Sequence, residues 1–320
     1  MNVLVSGAGG FVGGHLLTYL CQNMPHLRLH GTLFSDSEKR AALEALGCQL
    51  WTLDLRDLEA VRDLLAQVRP VRIYHLAGQA FVPRSFTAPW ETLEVNIRGT
   101  LNLLEAVRTL GLETRILVVS SADIYGAAAA ESLPLTESAP FIPSSPYSVS
   151  KIAQDMLAWQ YARAYSMYIV RVRPFNHIGT GQSADFAVPN WASQIAAIEL
   201  GQREPVVLVG NLAAARDFTD VRDVVRAYAL ALERGAAGAV YNVCSGAPQT
   251  MQHVLETLIS LSSVPIEVRV DPERVRPVEI PVLYGSYARL KADTDWQPQI
   301  SLIQSLTDVL NEWRMRLRSA

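Results

Sequence analysis

The most constraining feature of this sequence is the alternation of two kinds of segment in its first half. Short runs rich in leucine and β-branched residues, typical of buried strands, alternate with longer amphipathic runs typical of helices. Strands of this kind need helices on both faces, so the alternation predicts an α/β fold with a doubly wound parallel sheet. The predicted strands cover residues 2–6, 27–33, 49–53, 72–76, 115–120 and 168–172.

Helix signals stand between and after these strands. Ser37 and Asp57 occupy N-cap positions ahead of helical patterns that end near residues 46 and 68. After Pro174 the rhythm is less regular, and the proline-rich segment 265–298 is predicted to be mostly irregular, as loops beside a binding cleft often are. The other predicted elements are helices at 89–110, 147–165, 189–200, 221–234, 250–261 and 301–317, and a strand at 206–209.

Composition narrows the classes of function. The 28 basic and 31 acidic residues give a net charge of −3 with no block of like charge, which argues against a nucleic-acid binder. The three scattered cysteines indicate a reducing compartment and neither a zinc site nor a disulfide framework, so no metal site is predicted. The chain has no apolar run of about 18 residues, and its first residues are typical of a strand rather than a signal peptide. We therefore expect a soluble, cytoplasmic protein with no membrane partner.

A glycine-rich turn joins the first predicted strand to a helical pattern. It contains Gly7, Gly10, Phe11, Val12 and Gly13. Glycines at such a turn let backbone N–H groups approach a pyrophosphate at the helix N-terminus and let the helix pack closely on the sheet. With a strand before it and a helix after it, the turn predicts a dinucleotide-binding site in a Rossmann-type fold.

The choice between NAD(H) and NADP(H) stays open at this level. Asp36, near the end of the second predicted strand, would favour NAD by bonding a ribose hydroxyl. Lys39 and Arg40, one helical turn later, would instead hold a 2′-phosphate. A capped, solvated helix start is the third interpretation of the same residues.

Tyr147 and Lys151 lie four residues apart and so share one face of a predicted helix. Only three of the 28 basic residues are lysines, which makes coincidence at this spacing uncommon. We expect the ammonium to lower the tyrosine pKa by about three units, which needs roughly 4 kcal/mol. The phenol then exchanges a proton with a carbonyl oxygen while a nicotinamide cofactor carries hydride. Ser120 and Ser121, at the carboxyl end of the fifth strand, stand where parallel sheets place ligands, and a serine there can orient the reacting oxygen.

Together these motifs resemble the extended short-chain dehydrogenase/reductase family, which modifies nucleotide sugars. The resemblance covers essentially the whole chain, and its second half is similar to the GDP-mannose branch of that family. The motifs that carry it are Gly7 to Gly13, Asp54-Leu55, His75 to Gly78, Asn96, Ser120 to Gly126, the Tyr147/Lys151 pair, Arg173 to Gly179, Gly210 to Leu212, Arg216 to Val221, Tyr241 to Gly246 and Arg276 to Glu279.

The resemblance implies a role for several further residues. It places residues 1–173 in an NAD(P)-binding Rossmann domain and 174–320 mainly in a smaller nucleotide-sugar-binding lobe, with parts of about 211–245 returning to the first domain. Its catalytic residues are Ser121, Tyr147 and Lys151. Its further cofactor contacts are Asp54, Leu55, Leu76, Ala77, Gly78 and His177. Its substrate contacts are Ser85, Ser121, Asn176, Arg216, Arg276 and Glu279.

The implied reaction is reduction of the carbon-4 ketone of GDP-4-keto-6-deoxy-D-mannose to GDP-D-rhamnose by NADPH or NADH. Dehydratase relatives use a glutamate where this chain has Asp123, and a proton-abstracting group must come within about 3 Å of its target, so the shorter side chain weakens that alternative. A 4-epimerase and a silent, cofactor-sensing relative are the remaining alternatives. The resemblance also implies a homodimer that pairs the helices at 89–110 and 147–165.

Overall fold

The computed structural model describes residues 1–35, 39–274 and 280–319. Its strands are β1 (Asn2–Ser6), β2 (Arg28–Leu33), β3 (Gln49–Thr52), β4 (Arg72–His75), β5 (Arg115–Val119), β6 (Tyr168–Pro174), β7 (Asn176–Ile178), β8 (Val206–Val209), β9 (Ala215–Asp220), β10 (Val240–Val243), β11 (Pro248–Thr250), β12 (Glu267–Val270) and β13 (Val282–Leu283). Its α-helices are α1 (Phe11–Asn23), α2 (Arg40–Ala45), α3 (Leu58–Val68), α4 (Val82–Thr87), α5 (Pro89–Leu93), α6 (Gly99–Thr109), α7 (Pro146–Ala164), α8 (Ala187–Glu199), α9 (Val221–Arg234), α10 (Met251–Ser260), α11 (Ala288–Thr294) and α12 (Leu302–Ser319).

A seven-stranded parallel sheet forms the centre of the described chain, in the order β10-β6-β5-β4-β1-β2-β3. From β1 the sheet grows on one side through β2 and β3 and on the other side through β4, β5, β6 and β10. This is the doubly wound topology that the alternating pattern predicts. All six strands predicted in the first half are present, with ends that differ by at most two residues. The fold class is therefore confirmed.

Helices cover both faces of this sheet. On one face α1 and α9 pack together and bury apolar side chains such as Leu16 and Tyr228. On the other face α3, α6 and α7 bury a second cluster that includes Leu65 and Leu103. These two apolar layers give the sheet its stability, because each strand contributes side chains alternately to both.

The long helix predicted at 89–110 is present but not uniform. Between α5 and α6 the segment Glu94–Arg98 forms a π-helical turn, and Asn96 lies buried within it. Such single-turn insertions are frequent at functional sites. The Asp57 cap is confirmed, since its carboxylate accepts hydrogen bonds from the backbone of Glu59 and Ala60. The Ser37 cap lies outside the described residues.

The second half forms a smaller lobe around α8, α10 and α12, with its own apolar core. In that lobe β9 pairs with β11, β13 and β7, and β12 pairs with β8. The segment 265–298, which was predicted to be mostly irregular, also contains three short elements that were not predicted, β12, β13 and α11. Short strands with charged residues carry little periodicity, and neighbouring strands decide their conformation.

None of the helices in the described chain combines the length and apolar character needed to cross a membrane.

Candidate active site

The glycine-rich turn lies where β1 enters α1, at the carboxyl edge of the large sheet. Gly7 has φ +74°, and a Cβ there would lie 2.9 Å from the backbone of Ala77. A Cβ on Gly13 would lie 2.2 Å from the Gly7 carbonyl oxygen. Within the described chain no side chain caps α1, so the N–H groups of its first turn face the turn itself. This cradle and the helix N-terminus suit a diphosphate.

The turn is held against the second strand and the smaller lobe. Thr32 of β2 accepts a hydrogen bond from the Gly7 N–H at 3.2 Å through its hydroxyl. The Phe11 ring stacks on His177, with ring centres 6.0 Å apart and planes 9° apart. Burial lowers the pKa of His177, whose Nδ1 lies 2.9 Å from the Phe175 carbonyl oxygen. The structure therefore places His177 beside the glycine-rich turn.

The carboxyl ends of β2 and β3 carry the residues expected around an adenosine. Asp54 and Leu55 follow β3, and the Asp54 carboxylate pairs with the Arg56 guanidinium at 2.7 Å, which lowers the pKa of Asp54. The same guanidinium lies 6.0 Å from the ring centre of the exposed Phe34. The sequence did not single out Arg56, because one arginine after an Asp-Leu pair has no distinctive pattern, but the structure places it between Asp54 and Phe34. Asp36 lies outside the described residues.

The segment after β4 approaches α7, the helix that carries Tyr147 and Lys151. The Ala77 N–H donates to the Ser6 hydroxyl at 3.2 Å, and Leu76 and Gly78 flank it. A Cβ on Gly78 would lie 2.8 Å from Oδ1 of Asn96 and 3.8 Å from Nζ of Lys151. Glycine is therefore required for this close approach.

The π-helical turn supplies a polar side chain that ties two segments together. Asn96 donates through Nδ2 to the Ser150 hydroxyl on α7 at 2.8 Å. Its Oδ1 accepts from the Gln79 N–H at 2.7 Å. Asn96 is among the motif residues that resemble the family, but the resemblance assigned it no contact. The sequence signal for a functional part was a polar residue inside a long predicted helix.

Lys151 is held by the end of the fifth strand. Its ammonium donates to the Val119 carbonyl at 3.0 Å, and its own carbonyl accepts from the Ser120 hydroxyl at 3.1 Å. The side chain is 5% exposed, and burial lowers the pKa of Lys151 to about 8. The ammonium also lies 5.9 Å from the centre of the Tyr147 ring.

Tyr147 and Ser121 lie at the same edge, and the interaction with the Ser121 side chain favours the phenolate. Burial and the charge of Asp123 outweigh that interaction and raise the pKa of Tyr147 above its usual value. The protein groups around Tyr147 therefore raise its pKa, contrary to the expectation that Lys151 lowers it. Desolvation disfavours a buried phenolate, and Asp123 adds like-charge repulsion. Tyr147 holds its proton at neutral pH.

The predicted substrate residues are more widely spread. Ser85 is buried in α4 and donates to the Val82 carbonyl at 2.7 Å. Asn176 is exposed at the start of β7, which pairs with β9. Arg216 lies in β9 and donates to the Ala215 carbonyl at 2.8 Å. Arg276 and Glu279 lie outside the described residues.

Asp217, beside Arg216, connects several segments of the smaller lobe, and the sequence did not predict this role. Its carboxylate is fully buried and accepts four hydrogen bonds from neutral groups. The donors are the N–H and hydroxyl of Ser245 and the N–H groups of Gly246 and Gly285, at 2.6 to 3.3 Å. One side chain thus fixes β9 to the loops that follow β10 and β13.

A dinucleotide cradle, a serine, a tyrosine and a lysine at the carboxyl edge of a doubly wound sheet define a short-chain dehydrogenase/reductase. The family model described as GDP-mannose 4,6 dehydratase matches residues 4–309. The chain belongs to that family.

Relatives of known name cover nearly the whole chain. GDP-6-deoxy-D-mannose reductase of Pseudomonas aeruginosa is 38% identical over 99% of this chain and 98% of its own length. The human GDP-mannose 4,6 dehydratase is 28% identical over 96% of this chain and 90% of its own length. A solved structure of RMD from P. aeruginosa complexed with NADPH has a TM-score of 0.86 and 36% identity, covering 98% of this chain and 99% of that one.

Proposed function

We propose that this chain reduces the carbon-4 ketone of GDP-4-keto-6-deoxy-D-mannose to GDP-D-rhamnose. The observation that carries the proposal is the position of a buried Tyr147 at the carboxyl edge of the large sheet, with the Lys151 ammonium 5.9 Å from its ring centre. Reduction of a ketone needs a proton donor, and the protonated phenol can supply that proton. The P. aeruginosa relative is a reductase of the same substrate class by name and matches the full chain.

Each catalytic residue has a separate part in this proposal. Ser121 orients the ketone oxygen by hydrogen bonding, and Tyr147 gives its proton to that oxygen. Lys151 carries a charge close to the phenol and offsets the negative charge that forms as the proton leaves. A reduced nicotinamide supplies the hydride to carbon 4.

The proposed cofactor contacts lie along the edge of the large sheet. The turn of Gly7, Gly10, Phe11, Val12 and Gly13 suits a diphosphate, and its tight conformation requires glycine at position 13, where a Cβ would lie 2.2 Å from the Gly7 carbonyl oxygen. The other proposed contacts are Asp54, Leu55, Leu76, Ala77, Gly78, Tyr147, Lys151 and His177.

For the cofactor we propose a preference for NADPH over NADH. Arg40 begins α2 and donates to the Thr52 hydroxyl at 2.7 Å, which holds a cation beside the ends of β2 and β3. Lys39 precedes it, and Arg56 lies opposite, over Phe34. Arginine suits a 2′-phosphate through its planar array of donors. Arg40→Ala is expected to raise KM for NADPH several-fold more than KM for NADH.

A dehydratase is the second candidate, because Asp123 is close enough to Tyr147 to raise its pKa. Two incubations distinguish the activities. With GDP-4-keto-6-deoxymannose and NADPH, the reductase oxidises the cofactor, and absorbance at the nicotinamide wavelength falls. With GDP-mannose alone, no keto-sugar forms. Appearance of keto-sugar in the second tube would contradict the reductase proposal.

The substrate's GDP end is assigned to the smaller lobe. We propose Ser85 near the sugar, and Asn176, Arg216, Arg276 and Glu279 at the diphosphate and ribose. Arginine forks match diphosphate oxygens, and a carboxylate accepts bonds from ribose hydroxyls.

The domain division, the assembly and the location are part of the same proposal. Residues 1–173 bind the cofactor and 174–320 bind mainly the substrate, and the part of 211–245 that returns is supported by β10 at the edge of the large sheet. A homodimer is supported by exposed Trp90 and Trp159 on α5 and α7. A reducing, cytoplasmic setting is supported by the three free cysteines.

A further inference from the structure

A single buried guanidinium links the two segments that carry the catalytic residues. Arg173, near the end of β6, donates through Nε to Oδ2 of Asp155 at 2.8 Å. Its Nη1 donates to the Tyr125 hydroxyl at 2.9 Å. Asp155 lies on α7, one turn beyond Lys151 and two turns beyond Tyr147, and so on the same face of that helix. Tyr125 ends the short helical turn that starts directly after Ser121.

The alternation of β6 explains how these arginines come to be buried. Val170 and Val172 point into the cluster beneath α1 and α9, whereas Arg171 and Arg173 point to the opposite face, beneath α7. Both arginines contact the one carboxylate of Asp155, which is fully buried. A buried polar cluster of this kind costs desolvation and is a weak source of stability.

The cluster continues from Tyr125 toward the substrate lobe. The Tyr125 hydroxyl donates to Oδ1 of Asn242 on β10 at 2.7 Å, and burial raises the pKa of Tyr125 to about 12. Asn242 in turn donates to the Leu135 carbonyl at 3.0 Å. The Tyr125 ring stacks on Phe175, with centres 6.2 Å apart, so its hydroxyl has a fixed direction. These hydrogen bonds fix Arg173, Tyr125 and Asn242 relative to one another.

We propose that Arg173, with Asp155 and Tyr125, is a positioning device for the reaction, setting the distance between the Ser121 segment and the Tyr147 helix. The inference rests on the proposed function, because it assigns a purpose to the Ser121 and Tyr147 pair. Proton transfer to an oxygen held by Ser121 requires both hydroxyls within hydrogen-bond reach of one atom. Lys151 on α7 is bonded to the end of β5. Arg173 adds a second connection, because it bonds to Asp155 on α7 and to Tyr125 at the end of the turn that follows Ser121.

The test variant is Tyr125→Phe, which removes one hydroxyl and keeps the ring. Its matched control is Tyr241→Phe, on the same strand as Asn242. This variant removes the hydroxyl of a buried tyrosine, which donates to the Asp293 carboxylate at 2.7 Å and makes no bond to the Arg173 cluster among the described residues. We expect Tyr125→Phe to lower kcat at least tenfold with KM for both substrates changed less than threefold. The control is expected to keep kcat within twofold. Equal kcat values in the two variants, or a change confined to KM, would overturn the proposal.

A second measurement detects changes around Lys151 on α7 and does not depend on turnover. The chain has only three lysines, so ¹³C labelling of lysine Cε gives three resolvable signals, and Lys151→Arg identifies the signal of Lys151. We expect Tyr125→Phe to shift the titration of Lys151, and Tyr241→Phe to leave it unchanged. An unmoved titration in Tyr125→Phe contradicts the positioning role. If Tyr125→Phe does not fold, Asp155→Asn is measured in its place with the same expectations.

The two measurements separate the two hypotheses. Wild-type protein that does not oxidise NADPH with the keto-sugar, but whose Lys151 titration responds to Tyr125→Phe, refutes the proposed function and supports the positioning role. Wild-type protein that turns over while neither kcat nor the Lys151 titration responds refutes the positioning role alone.

Discussion

The ammonium of Lys151 donates a hydrogen bond of 3.0 Å to the carbonyl of Val119, the last residue of strand β5. This bond orients a buried cation toward the sheet edge, 5.9 Å from the centre of the Tyr147 ring. The backbone carbonyl, rather than the phenol, therefore accepts the hydrogen bond of the cation. That arrangement accounts for the pKa directions of the pair, because burial governs both groups.

Tyr147→Phe removes the proposed proton donor and leaves the ring in place. We expect turnover to fall by two to four orders of magnitude, roughly the usual contribution of a general acid. Binding of NADPH, followed by its fluorescence, is expected to change less than threefold. Near-normal turnover would remove Tyr147 from the mechanism.

Lys151→Met tests the energetic consequence of the buried cation. The folded-state pKa of about 8 lies below the usual 10.5, so the unfolded chain binds more protons between these pH values and wild-type stability rises with pH across that window. The variant lacks this group, and its stability relative to wild type should therefore decline from pH 8 to pH 10.5, by about 3 kcal/mol. Urea unfolding of both proteins at several pH values measures the difference, and parallel curves would contradict it.

Gly13→Ala and Gly14→Ala form a matched pair on α1. A Cβ at Gly13 meets the Gly7 carbonyl oxygen at 2.2 Å, whereas among the described residues nothing lies within 4 Å of a Cβ at Gly14. Gly13→Ala must displace the turn, and we expect NADPH binding at least tenfold weaker. Gly14→Ala should retain binding and gain about 0.5–1 kcal/mol from helix propensity. Equal cofactor affinities in the two variants would argue against the cradle.

Asp217→Asn places an amide where four donors converge. An amide offers one acceptor oxygen, and its NH₂ faces groups that also donate, so we expect a loss of about 2 kcal/mol in stability. The loops after β10 and β13 are then less firmly held, and GDP binding by calorimetry should weaken about tenfold. Asp308→Asn, which removes a carboxylate paired with Arg222 on the surface, is the control and should change GDP affinity less than twofold.

The exposed tryptophans test the assembly. Trp90 is 73% exposed and Trp159 is 47% exposed, on helices that the homodimer would pair. Light scattering at micromolar concentration should give twice the chain mass of 35.2 kDa. A Trp90→Glu, Trp159→Glu double variant should give the single-chain mass, because buried carboxylates oppose the interface. A wild-type monomer would contradict the dimer.

Local pattern accounts for how well the first half was predicted. The strands and the helix that carries Tyr147 and Lys151 have strong periodicity, so their type and approximate ends follow from neighbouring residues. Because Tyr147 and Lys151 are four residues apart, their side chains lie on one face of the helix, whatever that helix packs against. The strand β9, with the sequence Ala-Arg-Asp-Phe-Thr-Asp, has no such signal and exists because β7, β11 and β13 pair with it.

The sequence by itself determined the doubly wound sheet, the glycine-rich turn, the place of Ser121 at a strand end and the placement of Tyr147 and Lys151 on one helix face, because these depend on short-range spacing. Only the tertiary structure decided the protonation of Tyr147 and the contacts of Arg173. A pKa depends on burial and on charges such as Asp123, which the fold brings near. The partners of a buried arginine likewise come from distant segments, and no local pattern specifies which carboxylate it will meet.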